Sequence, residues 1–392
     1  MTAGLPPFRP AQGLSGPHLQ TVWGRLTRTS RAVRFRREAL TTPDDDVLLV
    51  DHLDGSAERP QLLLLHGLEG SSNSVYIQGL ALAAQRRGWG VTALNFRSCA
   101  RDPNDLKVSI PNRRPRLYHS GETTDLDLVV ATLAARSVGN PLVAMGVSLG
   151  GNVLLKWLGE NAGRSSIRAA ATISVPYDLG AGALALESGL GPWYVRMFLK
   201  TLHRKCLDAV RRFPDAAARI DVPRMLRSRS FREYDDAATA PFHGMAGAQE
   251  YYDTCSSIDF VSRIDVPTLC ISSEDDPFLP ASVLPEVARR ASSAVRLHVA
   301  RQGGHVGFVA RDSGWRVGYW AEENAMDWLE RRIGESSGAA KELSEEPKEL
   351  STASPRLLEE SRQRHQRRGE LPETGGPGGE RTIQERREGG IA

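Results

Sequence analysis

Cysteine is scarce in this 392-residue chain: Cys99, Cys206, Cys255 and Cys270 lie far apart. They form no C-x-x-C pair and have no histidine at ligand spacing, so neither a zinc centre nor a redox dithiol is expected, and the four read as reduced, mostly buried thiols. An excess of one charge is also missing. Fifty basic and 47 acidic residues leave a net charge of +3, too little to imply a face that grips nucleic acid. No eighteen apolar residues run together, and the first twenty residues lack the apolar centre of a signal peptide. A soluble, cytoplasmic protein without a transmembrane anchor is therefore expected, with peripheral contact to a membrane left open. After Ile333 there is no aromatic residue and no cysteine, and Glu, Arg, Ser, Gly and Pro dominate. Such a segment buries too little apolar surface to offset its ordering entropy, so 334–392 reads as a disordered charged tail, with a transient helix around 356–366. No internal repeat is visible.

With 40% hydrophobic residues the chain can bury a full core, and its length suits one large domain with insertions as well as two smaller ones. After an N-terminal arm at 1–31, short apolar runs alternate with helical patterns over 32–333, the signature of an α/β fold with a mostly parallel sheet and helices on both faces. Strands are expected at 47–52, 61–66, 90–95, 141–146, 169–175, 268–272 and 295–300, and helices at 75–87, 122–135, 152–160, 281–290 and 315–331. No strand pattern occurs between 176 and 266, where helix formers mix with Trp193, Tyr194, Phe198, Leu199, Leu202, Phe231 and Tyr251. That stretch is too structured for a loop and reads as a helical cap inserted after a strand.

The pentapeptide Gly146-Val147-Ser148-Leu149-Gly150 follows an expected strand and precedes an expected helix, the context a nucleophile elbow requires. A serine hydroxyl is a poor nucleophile at neutral pH, so Ser148 needs a base to take its proton and an acid to orient that base. Downstream, Glu274-Asp275-Asp276-Pro277 follows one expected strand and Gly303-Gly304-His305-Val306-Gly307 the next. The order Ser, Asp, His is that of an α/β-hydrolase. His305 is the candidate base. Asp276 is favoured as the acid because a residue before proline is biased to extended backbone, and Asp275 stays open as the alternative. Oxyanion donors are expected at the backbone NH of Leu149, on the first turn of the helix after the nucleophile, and of Leu68, in the loop His66-Gly67-Leu68-Glu69-Gly70. No cofactor and no metal are expected.

With these residues in place, the chain resembles the YheT-like branch of the α/β-hydrolases, related to the plant embryo-abundant and animal membrane-anchored hydrolases of the same fold. The likeness covers about 7–332. It rests on Pro17-His18-Leu19-Gln20-Thr21, the loop from His66 to Ser71, Asn95-Phe96-Arg97, the run from Tyr118 to Thr123, the elbow continued to Asn152, Asp275-Asp276-Pro277-Phe278 and the loop from Gly303 to Phe308. The resemblance implies a relay of Ser148, Asp276 and His305 and the hydrolysis of carboxylic esters or acylglycerols. It also implies, for some relatives, acyl transfer to alcohols. Three departures stand out: Gly16 where the branch usually has Asn, Ser98 where it usually has Gly, and an insertion over 105–111.

The expected function is thus a serine hydrolase that cleaves small-molecule carboxylic esters of short to medium acyl chain through an acyl-enzyme on Ser148. An acyltransferase using the same intermediate is the alternative, and a non-catalytic binding module is a third reading.

Overall fold

In a computed structural model of the chain the described residues are 4–136, 139–311 and 317–345. They belong to two units, Met1–Gly338 and Ala339–Ala392. Of the second, only 339–345, the end of a helix, are described.

The first unit is built on eight strands: β1 (Arg36–Thr41), β2 (Val47–Leu53), β3 (Gln61–Leu65), β4 (Gly90–Leu94), β5 (Leu142–Val147), β6 (Ile167–Ile173), β7 (Thr268–Ser273) and β8 (Val295–Ala300). They lie in the order β1-β2-β4-β3-β5-β6-β7-β8. The pairs β1/β2 and β2/β4 are antiparallel and all others parallel. The inner parallel strands β3, β4 and β5 are mostly apolar, and with β7 they are buried almost throughout because both faces are covered, whereas the edge strand β8 alternates. In β3, Leu62 and Leu64 pack into one apolar cluster with residues of α2 (Val75–Arg86) and α13 (Trp320–Glu345). Leu63 and Leu65 pack into the opposite one, with residues of α3 (Thr124–Arg136), α4 (Leu149–Glu160) and α12 (Leu284–Arg290).

All seven expected strands form, with ends shifted by at most two residues. Among the elements that were not anticipated are a strand and a helix near the start of the chain. Strand β1, Arg-Arg-Glu-Ala-Leu-Thr, is a half-exposed sheet edge, where polar residues are tolerated and no apolar pattern builds up. Helix α1 (Pro17–Thr27) lies within the expected arm, with Pro17 at its first turn. The last helix starts at Trp320, not 315, because Val317–Tyr319 forms a small antiparallel pair with Val309–Arg311. It continues to Glu345, into the segment read as tail. Residues 346–392, including the expected transient helix, lie outside the described residues.

Between β6 and β7 the chain forms α5 (Leu179–Ala185), α6 (Gly191–Arg212), α7 (Pro214–Ala217), α8 (Val222–Arg227), α9 (Phe231–Tyr234), a π turn (Asp235–Thr239), α10 (Ala240–Phe242) and α11 (Ala248–Cys255), and no strand. These helices share an apolar cluster of their own around Tyr194, Leu199, Tyr234 and Phe242. All four cysteines are free and buried. Among the described residues no helix is long and apolar enough to cross a membrane.

A buried cation braces the turn at the antiparallel end of the sheet. The guanidinium of Arg97, almost fully buried, meets Asp46 at 2.9 Å, Asp125 at 2.7 Å and Asp44 at 2.8 Å. It thereby ties the β1–β2 turn to the first turn of α3. Next to it, Ser98 takes φ 60°, which explains why glycine is usual there. Asn112, just past the inserted 105–111 segment, offers its carbonyl oxygen to the Ser98 NH and hydroxyl, and donates its own NH to Ser98 Oγ at 3.2 Å. Asn112 thus holds the serine in its left-handed conformation.

Arg97→Met should leave the carboxylates of Asp46 and Asp125 buried without their cation. A loss of about 3–5 kcal/mol is expected, read as a lower midpoint of urea unfolding. A variant as stable as the parent would show that the ion cluster contributes nothing to the fold.

Candidate active site

Ser148 occupies the junction of β5 and α4 with φ 53° and ψ −122°, a conformation that L residues adopt only at a cost of roughly 1–3 kcal/mol. It is held because the flanking glycines let the helix lie against the sheet. A Cβ on Gly150 would stand 2.5 Å from the Leu65 carbonyl oxygen, and one on Gly146 would stand 2.5 Å from that of Gly150. The turn lifts the hydroxyl clear of the strand.

His305 Nε2 lies 2.8 Å from Ser148 Oγ, although 157 positions separate the two residues. On the other side of the ring, Nδ1 meets both carboxylate oxygens of Asp276, at 2.9 and 3.1 Å. The carboxylate leaves Nδ1 as the donor and Nε2 free to accept from the serine hydroxyl. Both side chains are largely buried, and the ring of Phe278 stacks on the imidazole at 4.2 Å, 9° from parallel. Of the two candidate acids, Asp276 faces the histidine. Asp275 instead accepts the Gly304 NH at 2.9 Å and so braces the histidine loop from below. Burial raises its carboxyl above the usual range.

The histidine loop has further braces that the sequence reading did not assign. Thr21 Oγ1 accepts the His305 NH at 2.9 Å, and Ser174 Oγ accepts the Val306 NH at 2.9 Å. The Gly304 carbonyl accepts from Ser273 Oγ at 2.9 Å. Gln20 is fully buried and joins the loop's exit to the arm: its side-chain oxygen accepts the Val309 NH at 2.6 Å, and its amide donates to Leu14 and Val309 carbonyls at 2.5 and 3.1 Å. Gln20 and Thr21 belong to the run Pro17-His18-Leu19-Gln20-Thr21, whose helical start at proline is the signal that would have placed them on an element.

The loop 66–70 passes directly over Ser148, since a Cβ on Gly67 would sit 3.1 Å from that of Ser148. Leu149 begins α4, where backbone NH groups have no intrahelical acceptor. Leu68 lies in the loop between Gly67, whose NH donates to Tyr76 OH at 2.9 Å, and Glu69. Glu69 has φ 57° and is held from four directions. Its NH donates to Tyr118 OH at 2.7 Å, and its carboxylate accepts from the same hydroxyl at 3.0 Å and from Lys205 Nζ at 2.7 Å. Its carbonyl accepts from Arg101 at 3.0 Å. Burial opposes the Glu69 carboxylate, yet Lys205 beside it holds its pKa below the usual value. Lys205 comes from α6, so a buried ion pair joins the helical insertion to this loop. On its N-terminal half α6 presents Tyr194 and Phe198 to Phe278, with ring centroids at 4.9 and 6.1 Å. An aromatic wall therefore stands behind the imidazole. Among the described residues no group of three or more His, Cys, Asp or Glu side chains is placed to hold a metal ion.

With this geometry in view, comparison with known proteins is informative. A protein family described as the alpha/beta hydrolase fold matches residues 60–312. The chain is 36% identical over 327 residues to YheT of Escherichia coli (strain K12), to which an esterase activity is ascribed, covering 82% of this chain and 92% of that one. It is 28% identical over 298 residues to the phospholipase ABHD3 of Homo sapiens, covering 74% and 70%. It is 29% identical over 288 residues to a monoacylglycerol lipase of Saccharomyces cerevisiae, covering 72% and 61%.

One buried group beside the site makes the fold sensitive to acid. His66 is fully buried, its Nδ1 donates to the Gly67 carbonyl at 2.7 Å and its Nε2 accepts the Phe96 NH at 3.2 Å. The neutral ring is fully satisfied, and burial pushes its pKa down to about 3. The unfolded chain takes up this proton near 6.5 while the folded one refuses it. Stability is therefore complete above about pH 6.5 and falls toward pH 3, by about 1.4 kcal/mol per pH unit for this residue alone. Urea unfolding between pH 7 and 5 should show stability falling below about pH 6, with His66 approaching that slope by about pH 5. A stability flat across this window would sink the assignment of a neutral, buried His66.

Proposed function

The chain belongs to the α/β-hydrolase family, to its YheT-like branch, and from that premise we propose that it is a serine hydrolase that cleaves carboxylic esters through an acyl-enzyme on Ser148. The observation that carries this reading is the unbroken chain of contacts from Ser148 Oγ to His305 Nε2 at 2.8 Å and from His305 Nδ1 to Asp276 at 2.9 Å. His305 takes the hydroxyl proton as Ser148 attacks the ester carbonyl, then returns it to the leaving alkoxide. Asp276 fixes the tautomer and stabilises the imidazolium without taking its proton. The backbone NH groups of Leu68 and Leu149 receive the oxyanion. Water activated by His305 releases the acid and frees the serine. The aromatic wall of Tyr194, Phe198 and Phe278 supports a short to medium acyl chain, and the helices between β6 and β7 serve as the cap.

Ser148→Ala should lower turnover of a p-nitrophenyl ester by about 10⁶ and abolish labelling by a fluorophosphonate probe. Unchanged activity in a folded Ser148→Ala protein would reject the mechanism. Lys205 acts at one remove, by fixing the loop that presents the Leu68 NH. Lys205→Met is expected to lower kcat by up to about 10²–10³, the effect of losing one oxyanion donor, with little change in KM. A KM effect alone would place Lys205 in substrate binding instead.

A further inference from the structure

Helix α6 has one apolar face more than its packing needs. Tyr194, Val195, Leu199, Cys206 and Ala209 point inward and are buried. Outward, Leu190, Trp193, Met197, Lys200 and Arg204 follow at spacings of three and four residues, which places them on one stripe of the helix and its entry. The first three expose 53%, 52% and 39% of their surface, among the most exposed large apolar residues described. Leu184, at the end of α5, is 68% exposed. The stripe then changes character, for Lys200 and Arg204 are exposed, as is Arg196 beside Met197. None of these three cations has an ion pair among the described residues, whereas Asp208 further along is paired with Arg212 at 3.1 Å. One acidic residue, Glu187, lies near the apolar end.

An exposed Trp, Leu and Met cluster followed on the same face by unpaired cations is the pattern of a segment that enters a lipid interface, with apolar side chains among the acyl chains and long cations at the headgroups. Tryptophan in particular settles at that boundary. We propose that this face of α6 docks the protein on the surface of an anionic lipid bilayer, apolar end first. The adjoining buried side of the same helix carries Tyr194, which packs on Phe278 and through it on His305. Docking there sets the aromatic wall of the site next to the membrane and gives an ester held in the bilayer a short path to Ser148. The delivery of such an ester rests on the ester-hydrolase reading, while the docking itself does not.

The test is flotation of the full chain, carrying Ser148→Ala so that no lipid is consumed, with phosphatidylcholine vesicles with and without phosphatidylserine. Binding is expected to the anionic vesicles, with a blue-shifted tryptophan emission that Trp193→Phe removes. Leu190→Asp with Met197→Asp should weaken binding by more than about 100-fold. Lys200→Glu with Arg204→Glu should weaken it at least about 25-fold, from roughly fivefold per cation at an anionic surface. Both pairs, made in the parent with Ser148 intact, should keep its turnover of a short soluble ester and its melting temperature. The proposal is overturned if the parent does not float with anionic vesicles, or if both double variants float as it does. It is equally overturned if the parent is a dimer that Leu190→Asp with Met197→Asp dissociates, since a second copy then covers the face. Vesicle binding by a parent with no ester turnover would sink the hydrolase reading and leave the docking surface standing.

Discussion

Everything at the site depends on a backbone conformation that Ser148 would not choose alone. At φ 53° the residue is held by the close contact of α4 with β3 and β5, and that contact exists only because Gly146 and Gly150 have no Cβ. The same contact brings the first NH of α4 and the loop after β3 to the nucleophile. Strain in one residue is thus maintained by the packing of three elements, whose burial in two apolar layers greatly exceeds its cost.

The imidazole is placed by a different device. Its loop receives little from its own residues and is fixed by partners from three parts of the chain: Gln20 and Thr21 on α1, Ser174 after β6, and Ser273 and Asp275 at the end of β7. Most of these partners bind backbone NH groups and leave the ring to Asp276, Ser148 and Phe278. The role proposed for His305 needs this separation, because an imidazole held by additional side-chain hydrogen bonds could not change its charge without breaking them.

The sequence shows these arrangements unequally. The parallel strands are legible because burial on both faces makes them continuous apolar runs, as in Leu62 to Leu65, and the elbow is legible because its two glycines are a local steric requirement. Strand β1 and helix α1 are not, since one is a polar edge and the other is short, with Gln20 as its only buried residue. Asp276, favoured on the proline bias, is the carboxylate that meets the His305 ring, while the contact of Asp275 with Gly304 left no mark in the sequence. Lys205 was invisible for a deeper reason: its partner Glu69 is 136 positions away, and an exposed lysine on an amphipathic helix has the same local pattern as a buried one.

That invisible lysine also changes the meaning of the helical insertion. A cap that merely shields a site could be exchanged without touching it, whereas α6 contacts residues around Ser148 and His305 at two places. Near its start Tyr194 packs on Phe278, which lies flat on His305, and further along Lys205 neutralises Glu69 beside the expected oxyanion donor. The span between them is about 16 Å of rigid helix, so a shift of α6 along its axis moves the base's neighbour and the donor loop's anchor together. Under the proposed mechanism one helix therefore ties the neighbour of the base to the anchor of the donor loop.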